Sequence, residues 1–158
     1  MSFGGQISSP TLPDWIRGRK LRLGDLHDIK RRMRGGGLHT VCEEARCPNR
    51  SECFQHGTAT FLINGRVCTR SCAYCSIAHG RPQPVDPDEP QQLAEAAVAM
   101  GLSHVVITAV DRDDLPDGGA AGFVECVRRL KALEPPPTVE VLTPDFRGDP
   151  ACVDLILE

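Results

Sequence analysis

Residues 104–143 read HVVITAVDRDDLPDGGAAGFVECVRRLKALEPPPTVEVLT. The first seven residues, 104–110, are a nearly continuous apolar run, which predicts a strand covered on both faces. DRDDLPDGG, 111–119, reads as a loop. AAGFVECVRRLKALE, 120–134, puts Phe123, Val127 and Leu130 on one side of a helix, and Pro135 to Pro137 end it. TVEVLT, 138–143, is β-branched and alternating, so a second strand follows. A strand, a crossover helix and a strand imply parallel pairing with a right-handed connection.

The same alternation extends upstream. TATFLIN, 58–64, is β-branched and apolar and predicts an earlier strand. HGRPQPVDPDEP, 79–90, has four prolines and predicts an irregular connection. Pro90 then suits the start of a helix, with acids before it at the positive end of the dipole. Leu93, Ala96, Ala97 and Met100 form one apolar face, and Gly101 suits the stop. The order is β-α-β-α-β, and ACVDLILE, 151–158, begins a third helix. The predicted class is α/β, a partial TIM-type (βα) barrel of about three strands. A closed eight-fold barrel needs about 250 residues, and this chain has 158. We divide it into a basic arm (1–40), a cysteine-bearing polar segment read as loop (41–57) and the incomplete barrel (58–158).

The chemistry-bearing residues lie at the start of that barrel. VCTRSCAYC, 67–75, holds Cys68, Cys72 and Cys75, and VCEEARCPNRSEC, 41–53, holds Cys42, Cys47 and Cys53. Eight cysteines could pair as disulfides, but no basic n-region with an apolar run marks a secreted chain. A structural zinc site prefers two short Cys pairs or Cys with His. Only Cys72 and Cys75 are such a pair, although His56 and His79 could complete one; both histidines read as surface residues. Buried structural cysteine fits Cys126 and Cys152 but not six thiols in two tight groups. An iron–sulfur cluster explains them better, because thiolates are its preferred ligands. Three cysteines leave one iron of a cubane open to substrate or cofactor.

The spacing C-x3-C-x2-C after a strand, with the aromatic Tyr74 just before the last cysteine, resembles the radical S-adenosylmethionine (SAM) superfamily. The upstream C-x4-C-x5-C narrows the resemblance to lipoyl synthases. It runs from LPDWIR, 12–17, through GTATFLINGRVCTRSCAYC, 57–75, and VVITAVDRDDLPDGG, 105–119, to VEVLTPDFRGD, 139–149. The resemblance implies a radical SAM-type barrel with an N-terminal cluster-binding extension. It implies a transferase of lipoate biosynthesis that inserts two sulfurs, at C6 and C8, into a protein-bound octanoyl chain. It also implies two [4Fe-4S] clusters and SAM as cofactors. By position, Cys68, Cys72 and Cys75 would hold the SAM cluster, with Cys42, Cys47 and Cys53 on an auxiliary cluster consumed as sulfur donor. Tyr74, Asp111, Arg112 and Asp113 are the expected cofactor contacts. Asp111, Arg112, Asp113 and Asp114 follow a strand, where barrel sites lie; they can contact SAM or order the loop. Gly118 and Gly119 allow close approach or serve a turn. Arg70 can pair with sulfide or SAM charge, or stand in solvent.

Implied partners are octanoylated carriers, namely the lipoyl domains of 2-oxoacid dehydrogenases and the glycine cleavage carrier, and an electron donor such as ferredoxin or flavodoxin. Family members continue to an Arg-Ser-Ser-Tyr-like motif whose serine completes the auxiliary cluster. These 158 residues stop before it, so the chain alone is expected to be inactive and poorly folded. A cluster- or partner-binding remnant is the competing class. An electron-transfer module is disfavoured, since neither triad has a fourth cysteine at ferredoxin spacing.

Composition bounds the rest. At 41% hydrophobic and 25% charged the chain is an ordinary globular one, and no stretch nears the length of a membrane span. A cytoplasmic location is expected. RGRKLRLGDLHDIKRRMR, 17–34, holds eight of the 18 Lys and Arg and two acids, leaving 10 bases against 19 acids elsewhere. Such a segment binds acidic partners or forms a solvated helix face. Without interleaved aromatics or a nucleic-acid fold signature, nucleic acid is not expected.

Overall fold

The computed structural model describes residues 38–44 and 47–158, with the Ser51 side chain left out. The basic stretch at 17–34 lies outside the described residues. Four strands form one sheet in the order β1 (His39–Thr40), β2 (Thr58–Ile63), β3 (His104–Ala109) and β4 (Thr138–Leu142). β2, β3 and β4 run parallel, with Ala59 opposite Val105 and Val105 opposite Val139. Hydrogen bonds extend the ladder below the strands. Gly57 O accepts from the N–H groups of Ser103 and His104 at 2.9 and 3.0 Å, and Ser103 O accepts from Thr138 at 2.9 Å.

The crossovers are α3 (Glu89–Ala99) and α4 (Ala120–Lys131), and α5 (Pro150–Leu157) follows β4. Asp149 caps α5 by accepting from Ala151 N at 3.0 Å. Gly101, at φ +60°, takes the left-handed position after α3. Phe61, Ile63, Val105 and Ile107 meet Leu93, Phe123 and Leu130 in a single core, all fully buried or nearly so. Each such side chain contributes about 1.5–3 kcal/mol of burial. The α/β class and the β-α-β-α-β order therefore stand, as a four-stranded mixed sheet with helices packed on one face. Among the described residues, no helix is long and apolar enough to cross a membrane.

Two expectations need correction. β3 is not buried equally on both faces: Val105 and Ile107 are fully buried, whereas His104, Val106 and Thr108 are half-buried. Among the described residues helices cover only one face, so the period of two reappears in the burial. Residues 41–57 are also more than loop. They hold α1 (Val41–Glu44) and α2 (Arg50–Gln55), both packed on β2. Preceding them, β1 pairs antiparallel with β2, His39 opposite Leu62 and Thr40 opposite Phe61. Two-residue strands and one-turn helices are too short to give a periodic signal.

Candidate functional site

The site grows from the C-terminal end of β2. Asn64 turns the chain at φ +64°, a conformation that asparagine tolerates better than most residues. It is almost fully buried, so its polar groups need partners. Its N–H donates to Glu89 Oε2 at 2.7 Å, its carbonyl accepts from Arg112 Nη1 at 2.8 Å, and its Nδ2 donates to Gly119 O at 3.0 Å. Gly65 N reaches Glu89 Oε1 at 3.4 Å. Burial raises the Glu89 carboxyl above its ordinary range. A Cβ on Gly119, at φ +91°, would overlap the Asn64 side chain. The close approach this glycine permits is thus to Asn64.

Beyond this anchor the cysteine loop closes on itself. Cys68 N donates to Ala78 O at 2.8 Å, and Gly80 N donates to Cys68 O at 2.9 Å. A turn from Cys75 N to Cys72 O, 3.0 Å, folds the last two cysteines together. Cys68 is half-buried, and Cys72 and Cys75 are exposed. A cavity of about 150 Å³ is lined by the three cysteines together with Tyr74, His79 and Asp111. Two larger hollows among the described residues, about 320 and 410 Å³, border the helices and are lined by no cysteine. Asp111 Oδ2 lies 3.8 Å from Cys68 Sγ. Tyr74 is exposed, and negative charge on Cys72 holds its phenol above the usual range.

The other expected contacts divide. Asp113 takes a two-point grip from Arg70, at 2.7 and 2.8 Å, which holds its carboxyl below the usual range. Arg70 also reaches Asp145 at 2.8 Å, lowering that carboxyl to about 2, and Asp111 at 3.5 Å. Arg70 is therefore held by carboxylates and is not loose in solvent. Arg112 is buried behind the cavity. Its guanidinium goes to Asn64 O, to Gln83 O at 3.2 Å and to both oxygens of Asp114 at 2.9 Å. These bonds order the loop, the second of the two roles open to Arg112 and Asp114.

Cys42, Cys47 and Cys53 also approach one another. Cys47 N donates to Cys42 O at 3.1 Å, and burial together with the charges of Cys42 and Cys47 raises the Cys53 thiol. Among the described residues, no three His, Cys, Asp or Glu side chains gather tightly enough for a single metal ion. A cubane makes a different demand, because its thiolates go to separate irons. The 68–75 loop fits such a group: three accessible thiols border one cavity, and Arg70 N lies 3.4 Å from Cys68 Sγ as a donor. Cys126 and Cys152 are buried apart from both triads; burial pushes the Cys126 thiol up to about 12.

Sequence reading missed Glu89, Asn64 and Asp145; His79 is exposed, as the sequence reading has it, and it also borders the cavity. Glu89 lay in a proline-rich run that signals only irregularity, and Asp145 is 75 residues from the arginine it binds. His79 borders the cavity through a backbone bridge to Cys68 that spacing does not reveal.

Comparison with known proteins agrees with this geometry. The radical SAM superfamily profile matches residues 62–158, and that of the N-terminal domain of lipoyl synthase matches residues 5–47. The chain is 58% identical over 136 residues to the lipoyl synthase of Methylococcus capsulatus, covering 86% of this chain and 42% of that protein. It is 58% identical over 137 residues to that of Laribacter hongkongensis, and 54% over 146 residues to that of Nitrosospira multiformis. The latter two alignments cover 43% and 45% of the relatives. The chain thus spans less than half the length of the curated relatives it matches. With its superfamily match extending over more than half of its residues, from the end of β2 onward, the chain belongs to the radical SAM superfamily.

Proposed function

We propose that this chain is the N-terminal part of a lipoyl synthase, acting on octanoyl-lysine of a carrier protein to place sulfur at C6 and C8. The carrying observation is the pairing of two cysteine triads on one strand. Cys68, Cys72 and Cys75 lie on the loop at the C-terminal end of β2, and the segment with Cys42, Cys47 and Cys53 packs along that strand. The first triad would hold the SAM cluster and the second the auxiliary cluster from which sulfur is drawn. SAM bound to a reduced cluster supplies a 5′-deoxyadenosyl radical, which abstracts hydrogen from an unactivated carbon.

The chain's own residues bind and orient. Cys68, Cys72 and Cys75 would supply three thiolates to such a cluster, leaving one iron open to SAM. Glu89 and Arg112 hold Asn64 from opposite sides and so set where the loop leaves the strand. Asp111 lines the cavity beside Cys68, which supports a role for it in contacting bound SAM. The partners under this reading are octanoylated lipoyl domains and the glycine cleavage carrier, with ferredoxin or flavodoxin as electron donor, in the cytoplasm. The test is anaerobic reconstitution followed by iron and sulfide analysis. Turnover of an octanoylated carrier is then assayed with the family's remaining barrel supplied in trans. Lipoyl product supports the reading. Cluster uptake without any product under those conditions leaves a cluster-binding protein instead.

A further inference from the structure

Arg70 stands between two of the three loop cysteines, and its side chain is taken up by carboxylates from two other strand ends. Nε and Nη2 donate to Asp113 Oδ2 and Oδ1 at 2.7 and 2.8 Å. Nη1 donates to Asp145 Oδ2 at 2.8 Å and lies 3.5 Å from Asp111 Oδ1. Asp111 and Asp113 follow β3, and Asp145 follows β4. Thr69 adds a second tie. Its N–H and its hydroxyl both donate to Asp111 O at 3.0 Å, and Asp113 N donates to the Thr69 hydroxyl at 3.1 Å. Two neighbouring residues thus fasten the cysteine loop of one βα unit to the ends of the next two. The backbone N–H of Arg70 lies 3.4 Å from Cys68 Sγ.

A guanidinium gripping a carboxylate at two points fixes orientation as well as distance, which a lysine's point charge does not. Hydrogen bonds to ligand sulfurs are among the groups that set a cluster's reduction potential. We propose that Arg70 is a positioning residue whose carboxylate clamp holds the 68–75 loop in its cluster-binding shape and keeps its N–H on Cys68 Sγ. The clamp would thereby set both the affinity and the reduction potential of that cluster. This rests on reading Cys68, Cys72 and Cys75 as the cluster site. Within the clamp, Arg70 and Arg147 face Asp111, Asp113 and Asp145, with Arg147 Nε 4.0 Å from Asp113 Oδ1. The arginine's charge is therefore largely compensated, and its fork geometry is what matters.

The chain is reconstituted anaerobically with the family's remaining barrel supplied in trans. Iron per chain, midpoint potential and the SAM-induced change in the electron paramagnetic resonance spectrum are then recorded. Arg70→Gln and Arg70→Lys should each lose about tenfold or more in cluster affinity, the scale for groups that orient metal ligands. Asp113→Asn should behave likewise, and the double variant Arg70→Gln/Asp113→Asn should be no worse than either single one. Arg129→Gln removes a 2.8 Å ion pair on the far helix and should leave all three readouts unchanged. Thermal unfolding separates clamp loss from general destabilisation. If Arg70→Gln does not fold, Asp145→Asn removes only the exposed arm of the clamp and should still shift the potential. Wild-type readouts from Arg70→Lys, additive losses in the double variant or an unmoved potential in Asp145→Asn would each overturn the inference. A wild-type chain that shows no SAM-dependent signal overturns the cluster-site reading itself, and the inference with it.

Discussion

Cys72 and Gly119 show two kinds of dependence on a single residue. Cys72 is exposed on the cavity rim. Replacing it with Ala, in a protein with the family's remaining barrel restored, should abolish reductive SAM cleavage and leave the auxiliary cluster in place. A normal yield of 5′-deoxyadenosine would sink the assignment. Gly119 is the opposite case. Its φ of +91° strains any side chain, and a Cβ there overlaps the buried Asn64. Gly119→Ala should cost about 2–4 kcal/mol, combining backbone strain and overpacking, and should loosen the start of the cysteine loop. Denaturant unfolding reads the first effect, and cluster uptake reads the second.

At the scale of elements, the cysteine loop depends on groups from other βα units. Glu89 opens α3 but grips the peptide after β2, and Arg112 follows β3 but binds the same residue from the other side. The charge on Glu89 is disfavoured by burial, so its carboxyl titrates higher in the folded chain than the ordinary 4.5. Below 4.5 the carboxyl is protonated in both states and its contribution to stability is fully present. As pH rises through the raised folded value that contribution is lost, because ionising the buried group costs more than ionising it in the unfolded chain. Stability of the wild type should therefore fall across this window relative to Glu89→Gln, which does not titrate. Thermal unfolding of both proteins from pH 4 to 7 measures the difference. Parallel curves would show that Glu89 is better solvated than its burial indicates.

At the scale of the whole molecule, some apolar surface is left uncovered among the described residues. Leu142 on β4 and Val153, Leu155 and Leu157 on α5 are exposed, and among the described strands β4 pairs only with β3. Apolar surface beside an open strand edge favours association. The 158-residue chain by itself should bind an apolar dye and aggregate, and addition of the family's remaining barrel in trans should suppress both. Monomeric, cooperative unfolding without dye binding would contradict this. For the basic stretch at 17–34, outside the described residues, we propose a docking role toward an acidic carrier. Reversing Arg31, Arg32 and Arg34 to Glu should weaken carrier binding in a salt-dependent way and spare reaction with a short octanoyl-lysine peptide. Equal loss for both substrates would point to misfolding.

Local pattern carried much of this protein. Runs of β-branched residues predicted β2, β3 and β4 to within one residue, because a strand's preference is spread over several neighbours. The spacing of Phe123 and Leu130 placed α4, and the cysteine spacings singled out Cys68, Cys72 and Cys75, which the structure brings to one cavity. Tertiary structure decided what pattern cannot express. Burial on one face of β3 depends on where the helices pack, and β1 exists only because β2 offers it an edge. Whether Arg70 met solvent, SAM or carboxylates depended on Asp113 and Asp145, 43 and 75 residues away, which only the parallel sheet brings to the same end of the molecule. Spacing along a chain says which residues can share a loop, and the fold says which loops share a site.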